Sequence, residues 1–203
     1  MEPVKRQVRS KAAPTLRRAS MLSAAAMAIG ALTLVPMARL EAAEPLEYKI
    51  KAAFLLNFTK FIEWPSSDFE GPNSPFTICI LGKDPFGSVL DEIVAGEAVE
   101  GRKIVVQRIK RAPASKACQV LFAARTGHDL NPLLHQLPAG ILTVGEDESF
   151  MHDGGMIAFV IENRRVRFII NQGLTEGSGL KLSSKLLSVA DVVRGKSRSS
   201  GGS

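Results

Sequence analysis

The chain has 203 residues, enough for one ordinary globular domain, and its 45% apolar and 23% charged residues are typical of a globular protein. The formal net charge is +6, but residues 1–43 hold seven of the 26 basic residues and two of the 20 acidic ones, so the rest of the chain is close to neutral. The remaining Lys and Arg are interspersed with acids, which argues against a nucleic-acid-binding protein.

The first segment has the layout of a secretory signal peptide. Several basic residues precede the apolar run MLSAAAMAIGALTLVPMA, which ends near the small residues of LEAAEP. We expect cleavage just after Ala42 or Ala43, which assigns residues 1–43 to the signal and the mature chain to the periplasm. The match at the cleavage site is imperfect, so an uncleaved anchor stays open, and Arg17-Arg18 leaves a twin-arginine export route open beside the general one.

The next segments alternate between helical and strand patterns. Apolar residues recur at helical spacing over residues 46–62, and the later segments read in turn as strand, helix, strand, strand, helix and strand: FTICIL, PFGSVLDEIVAG, RKIVVQRI, CQVLFAA, DLNPLLHQL and ILTVGE. This alternation predicts a single three-layer α/β/α sandwich with a largely parallel central sheet, spanning residues 44–194.

The end of the chain departs from that rhythm. In GGMIAFVIENRRVRFIINQ the first half is continuously apolar and the second half alternates, which predicts an antiparallel hairpin that turns near Asn163-Arg164, with its second strand at or near the sheet edge. We expect LKLSSKLLSVADVV to form a final helix with Leu182, Leu186, Val189 and Val193 on one stripe, and residues 195–203 to form a disordered tail.

Several polar side chains interrupt apolar segments. Asn57 falls near the middle of the apolar arc in KAAFLLNFTKFIEWP, where a buried amide must find hydrogen-bond partners or cost about 1–3 kcal/mol. We expect it to be a structural anchor, with a ligand contact as the alternative, and we assign the same structural role to Asn171, Ser183 and Ser184. Two further side chains of the first helix stay candidates for surface recognition: Lys60 and Trp64.

The sequence offers no support for an enzyme, a cofactor or a metal site. It has no phosphate-binding glycine loop and no G-x-S-x-G elbow. Its three histidines, His128, His135 and His152, lack the His or Cys neighbours that zinc requires. Acidic residues 146–148 follow a strand, where an α/β sheet often has its ligand crevice, so with Asp153 they form either a solute site or a solvated loop.

Two cysteines, Cys79 and Cys118, are present in a chain that we expect to be exported to an oxidising compartment. A disulfide between them is the first interpretation. Two buried free thiols remain the alternative.

Five segments in order carry a resemblance to a known family. The succession KAAFLLNFTKFIEWP, FTICILGKDPFG, EGRKIVV, GGMIAFVIENRRVRFIIN and GLKLSSKLLSVA resembles the YfiR family of periplasmic regulators. The resemblance implies a single three-layer domain that represses the sensor region of an inner-membrane diguanylate cyclase, lowering cyclic di-GMP and biofilm formation. It also implies sequestration by an outer-membrane peptidoglycan-binding lipoprotein, a homodimer, and a disulfide that suits Cys79 and Cys118.

The contact surface for such a partner is predicted at the hairpin, because interfaces favour Arg and aromatic residues. Four charged residues of the second strand and its turn, and two apolar residues before the hairpin, form the predicted surface: Glu162, Arg164, Arg165, Arg167, Phe150 and Met151. Solvated edge charges and a core Phe are the alternative. The competing function is a small periplasmic solute-binding domain without a cyclase partner.

Overall fold

A computed structural model describes residues 46–113, 117–124 and 130–193 of the chain. The predicted signal peptide (1–43), the predicted tail (195–203) and His128 lie outside the described residues. Within the described ranges, no helix combines the length and apolar character needed to cross a membrane.

The described chain forms six α-helices and ten strands. The helices are α1 (Leu46–Phe61), α2 (Ser88–Val94), α3 (Asn131–Gln136), α4 (Asp147–His152), α5 (Gln172–Gly177) and α6 (Ser184–Leu187). The strands are β1 (Ile62–Glu63), β2 (Phe76–Leu81), β3 (Ala98–Val99), β4 (Arg102–Ile109), β5 (Val120–Ala123), β6 (Leu142–Glu146), β7 (Ile157–Glu162), β8 (Arg165–Asn171), β9 (Lys181–Leu182) and β10 (Asp191–Val193). A short 3-10 turn spans Ser66–Asp68.

Eight strands form one sheet in the order β10-β8-β7-β6-β5-β2-β4-β3, and β1 pairs with β9 separately. The run β4-β2-β5-β6-β7 is parallel throughout, whereas β7 pairs with β8 and β3 pairs with β4 in antiparallel fashion. The parallel run has the strand order 2-1-3-4-5, which is one of the common doubly wound arrangements. The predicted α/β fold with a mostly parallel sheet is therefore confirmed.

Helices cover both faces of the sheet. On one face α1 and α2 pack on alternate strand residues, and the central contacts include Phe58 against Phe159 and Phe168, with ring centroids 5.9 and 5.1 Å apart. On the other face α3 and α4 cover a smaller layer that contains Leu134, Phe150 and Ala158. Because helices cover both faces of the sheet, all six residues of β2 are buried. Five of them are apolar, and the sixth is Thr77.

The two cysteines form a disulfide beneath the smaller helical layer. Cys79 lies in the middle of β2 and Cys118 lies just before the neighbouring strand β5, with their Cα atoms 5.8 Å apart. Both residues are buried beside Leu121 and Ile141. The disulfide is confirmed, and it ties together two central strands that are 39 residues apart in sequence.

The predicted final helix is wrong. The segment instead forms β9, the single-turn α6 and the edge strand β10. Leu186 is buried, but Val189 is 57% exposed, so the predicted stripe does not form. The physical reason is tertiary pairing: β9 is held by β1 and β10 by β8, and these backbone bonds outweigh the local helical pattern.

Candidate functional site

A crevice opens at the carboxyl ends of β6 and β7, beside the first turns of α1. Its volume is about 430 Å³. It is lined by residues of α1, the end of β6, the start of α4 and the second half of β7: Glu47, Tyr48, Lys51, Glu146, Asp147, Glu148, Phe159, Val160 and Ile161. The acidic residues 146–148 predicted to border a crevice do so, whereas Asp153 is not among the lining residues.

Lys51 is the most deeply buried charge of the crevice, with 3% of its surface exposed. Its Nζ donates to Glu47, one turn earlier on α1, and to Glu146 at the end of β6, at 2.5 Å. Burial alone would lower the pKa of Lys51, but the hydrogen bonds to the two carboxylates outweigh burial and raise that pKa. Lys51 is therefore held as an ammonium that joins α1 to the sheet.

Tyr48 forms the aromatic wall of the crevice. The Nζ of Lys51 lies 4.6 Å from the centroid of the Tyr48 ring, within the range of a cation-π contact. Burial raises the pKa of Tyr48, and the negative charge of Glu146 raises it further. The phenol consequently stays protonated and can donate a hydrogen bond at neutral pH.

Asp147 begins α4 with φ of 58°, a left-handed conformation that Asp tolerates better than most residues. Its Oδ1 accepts hydrogen bonds from the backbone N–H and the hydroxyl of Ser149.

The crevice carries four carboxylates, those of Glu47, Glu146, Asp147 and Glu148, against the one ammonium of Lys51, and is therefore electronegative. Chemically, such a crevice favours a cationic group over an anion.

Across the three described ranges, no group of three or more His, Cys, Asp or Glu side chains is arranged to hold a metal ion. Asp153, which we predicted beside the crevice, instead accepts hydrogen bonds from the N–H of Leu130 and the side chain of Asn131. It therefore fixes the start of α3.

The hairpin of β7 and β8 forms the second candidate surface. Its turn residues, Asn163 and Arg164, have φ of 47° and 61°, which is the two-residue turn that matches the twist of the flanking strands. The predicted turn position is confirmed. Glu162 and Arg165 lie opposite each other beside the turn, and Arg167 lies opposite Val160 two residues further along.

Every charged residue predicted for the partner surface is exposed: Glu162, Arg164, Arg165 and Arg167. One of the arginines has a partner within the chain, because Nη2 of Arg167 lies 3.7 Å from Oδ2 of Asp191 on β10. Val166, between Arg165 and Arg167, is half-buried, and Phe168 and Ile170, which follow Arg167, are buried. The alternation predicted for β8 is therefore confirmed.

Phe150 does not belong to this surface, so its prediction as an apolar anchor is wrong. Its ring is 2% exposed and packs with Ala123, Leu134 and Ala158 under α3. A Cβ on Gly145 or Gly155 would overlap the ring, so these glycines make room for it. Met151 is half-buried against the same cluster.

The predicted structural polar residues have different surroundings. Asn57 is exposed, so the prediction that its amide is buried is wrong: the buried stripe of α1 runs through Lys51, Leu55 and Phe58 instead. Asn171 caps α5 by accepting from the N–H of Leu174 at 3.1 Å. In the same way, Ser183 caps α6 by accepting from Leu186 at 3.2 Å, and Ser184, next to it, is exposed.

The two recognition candidates at the end of α1 also differ. Trp64 is buried, and its Nε1 donates to the carbonyl of Gly140 at 3.0 Å, so it anchors the loop before β6 and is not a surface residue. Lys60 is exposed and pairs with Glu97 at 2.8 Å.

Sequence reasoning missed Lys51 and Tyr48 as site residues. The available signal was the Glu47–Lys51 spacing of four residues, which brings the two side chains together on a helix. That spacing does not reveal Glu146, which lies 95 residues later and meets Lys51 only through the fold.

The fold defines the class of the protein: a small α/β domain whose central strands are joined by a disulfide. The model of the DUF4154 family, described as YfiR/HmsC-like, matches residues 48–191, more than two thirds of the chain. The chain therefore belongs to the YfiR/HmsC-like family, which confirms the resemblance seen in the sequence. No curated protein matches the chain.

Proposed function

We propose that the chain is a periplasmic regulator that binds the sensor region of an inner-membrane diguanylate cyclase and holds the cyclase inactive. The single observation that carries this proposal is the YfiR/HmsC-like match over residues 48–191. Repression of the cyclase would lower cyclic di-GMP and biofilm formation. A disulfide between two central strands supports an oxidising compartment such as the periplasm.

The exposed charges of the hairpin supply the partner surface in this proposal. Arg164, Arg165 and Arg167 are accessible, and Arg is favoured at interfaces because its planar guanidinium bonds carboxylates in pairs. A repressor shifts the cyclase only by its difference in affinity for the off and on states. Moving the cyclase from almost fully on to almost fully off takes a preference of about 5.5 kcal/mol.

Two further partners belong to the proposal. An outer-membrane peptidoglycan-binding lipoprotein would release the cyclase by sequestering the repressor, and a second copy of the chain would form a homodimer. Analytical ultracentrifugation of the mature chain tests the dimer. A monomer at concentrations of about 100 µM, well above ordinary dimer dissociation constants, would contradict it.

Deletion of the chain in its host, with cyclic di-GMP as the readout, tests the proposed function. We expect the cyclic di-GMP level to rise on deletion and to return on complementation with the natural chain. Complementation with Arg165→Glu and Arg167→Glu together should fail, whereas the matched control Lys103→Glu, an exposed change on β4, should succeed. An unchanged level in the deletion strain under several growth conditions would contradict the proposal.

The electronegative crevice favours one second candidate function, that of a small solute-binding domain. Its 430 Å³ volume, the Tyr48 wall and four carboxylates suit a small cationic solute. Thermal shift of the purified chain with a panel of amines and guanidines tests this candidate. Two results together would favour solute binding over repression: a thermal shift that disappears in Glu148→Gln, and a pull-down in which the chain retains no cyclase sensor domain.

A further inference from the structure

The outer side of β8 is only partly paired. On its inner side β8 pairs with β7 from Arg165 through Ile170. On its outer side β10 pairs only with Ile169–Asn171. In the described part of the chain, the first four residues of β8 therefore have no strand beside their outer edge.

The hairpin geometry identifies which backbone groups face outwards there. A two-residue turn makes the flanking residues, Glu162 and Arg165, a hydrogen-bonded pair, and the pairs then alternate along an antiparallel ladder. Arg165 and Arg167 therefore bond to β7. The N–H and C=O groups of Val166 and the N–H of Phe168 point away from β7, towards the open edge, whereas the register with β10 directs the C=O of Phe168 towards the N–H of Asp191.

We propose that this edge of β8 accepts an extended segment of the partner protein as an added strand, with acidic side chains beside Arg165 and Arg167. The proposal deepens the proposed function, on which it rests, by naming how the partner is bound. Main-chain bonds to Val166 and Phe168 would supply affinity, and the arginines would select the partner segment by charge.

The chain itself contains an example of this complementarity. The strand that already lies beside β8 begins with Asp191, and its carboxylate lies 3.7 Å from Arg167. An added strand would lie on the same side of β8 as β10, beside the residues that precede Ile169. An acidic side chain there would stand beside Arg165 as Asp191 stands beside Arg167.

A second copy of the chain is a poorer occupant of this edge. Pairing two β8 edges around a two-fold axis would bring Arg165 and Arg167 of one copy beside the same arginines of the other, on the same face of the sheet. Like charges directly opposite each other are destabilising. The charge pattern therefore favours a different, acidic partner.

Hydrogen–deuterium exchange resolved by NMR tests the proposal on the mature chain, alone and mixed with the periplasmic sensor domains of the host's membrane diguanylate cyclases. We expect the amides of Val166 and Phe168 to exchange fast in the free chain and at least 10-fold slower in the complex. The amides of Arg165 and Arg167, which already bond to β7, should change much less.

The other outcomes separate this proposal from the proposed function. Binding of a sensor domain without protection of Val166 and Phe168 would overturn strand addition and leave repression standing. Absence of binding by every sensor domain would overturn both. If the amides of Val166 and Phe168 become protected as the concentration of the chain alone is raised, a second copy occupies the edge. That result would overturn the proposal of an acidic partner segment.

A pair of substitutions at one position gives an independent check. Val166→Pro removes the outward N–H without removing a bond to β7, and proline is tolerated at strand edges. We expect it to weaken sensor binding at least 10-fold, whereas the control Val166→Ala, which keeps the N–H, should weaken binding less than 3-fold. Equal losses in the two variants would show that the side chain matters and the edge does not, provided both variants keep the amide spectrum of a folded chain.

Discussion

The crevice and the hairpin both carry cations near the carboxyl end of the sheet, but the cation of the crevice is buried and those of the hairpin are exposed. Lys51 is buried and bonded to two carboxylates, whereas Arg164 and Arg165 stand exposed at the end of the hairpin. A buried charge must be paired within the fold because desolvation is costly, while an exposed one is solvated and stays available to another molecule. Lys51 therefore stabilises the fold, whereas Arg164 and Arg165 are free of that role and suited to recognition.

Removal of the buried cation should have the largest effect. Lys51→Met leaves Glu146 in a mostly buried position without its ammonium, and we expect the free energy of unfolding to fall by about 3–5 kcal/mol. Urea denaturation measures the change. The control Lys49→Met, on the exposed side of the same helix, should change stability by less than about 0.5 kcal/mol. Similar losses in both variants would remove the distinction between buried and exposed cations.

Loss of the disulfide should rank second. Cys79→Ala with Cys118→Ala frees two central strands, and we expect a loss of about 2–4 kcal/mol, because the unfolded chain is no longer constrained. Dithiothreitol should destabilise the natural chain by a similar amount and leave the double variant unchanged. A reductant effect on the double variant would mean that the loss has another origin. Because both surfaces lie away from this bond, partner binding by the folded variant should persist.

Alkaline pH should destabilise the folded chain through the crevice. The pKa of Lys51 is raised in the folded state, so its stabilising contribution is fully present below the ordinary value of about 10.4 and is lost as pH rises through the higher folded value. The raised pKa of Tyr48 acts in the same direction. Urea titrations should therefore show no loss of stability from these two groups up to about pH 9.5 and a falling stability from about pH 10 upwards. A slope that is no shallower in Lys51→Met than in the natural chain would contradict a role for this lysine.

Reversal of the hairpin charges should have the smallest effect on stability. Arg165→Glu with Arg167→Glu changes exposed side chains and one surface ion pair, so we expect the free energy of unfolding to change by less than about 1 kcal/mol. Thermal unfolding monitored by circular dichroism measures this. A larger loss would mean that these arginines contribute to the fold, and it would weaken their assignment to partner recognition.

Local patterns predicted the regular elements well wherever tertiary pairing agreed with them. β2 and β4 occupy the predicted segments FTICIL and RKIVVQRI, and the hairpin turns where predicted. The prediction of a final helix failed because residues 181–182 pair with β1 and residues 191–193 pair with β8 as strands. A helical period in so short a segment is a weak signal when a sheet edge is available to pair with it.

The sequence by itself determined the family, the α/β character of the sheet and the exposed arginines of the hairpin, because each depends on residue order or on alternation along a single element. Only the tertiary structure decided that Asn57 faces solvent while Lys51 is buried, that Phe150 and Trp64 belong to the interior, and that β8 keeps an open edge. The physical reason is that burial and pairing depend on contacts between distant segments. Glu146 meets Lys51 across 95 residues, and no local pattern carries that information.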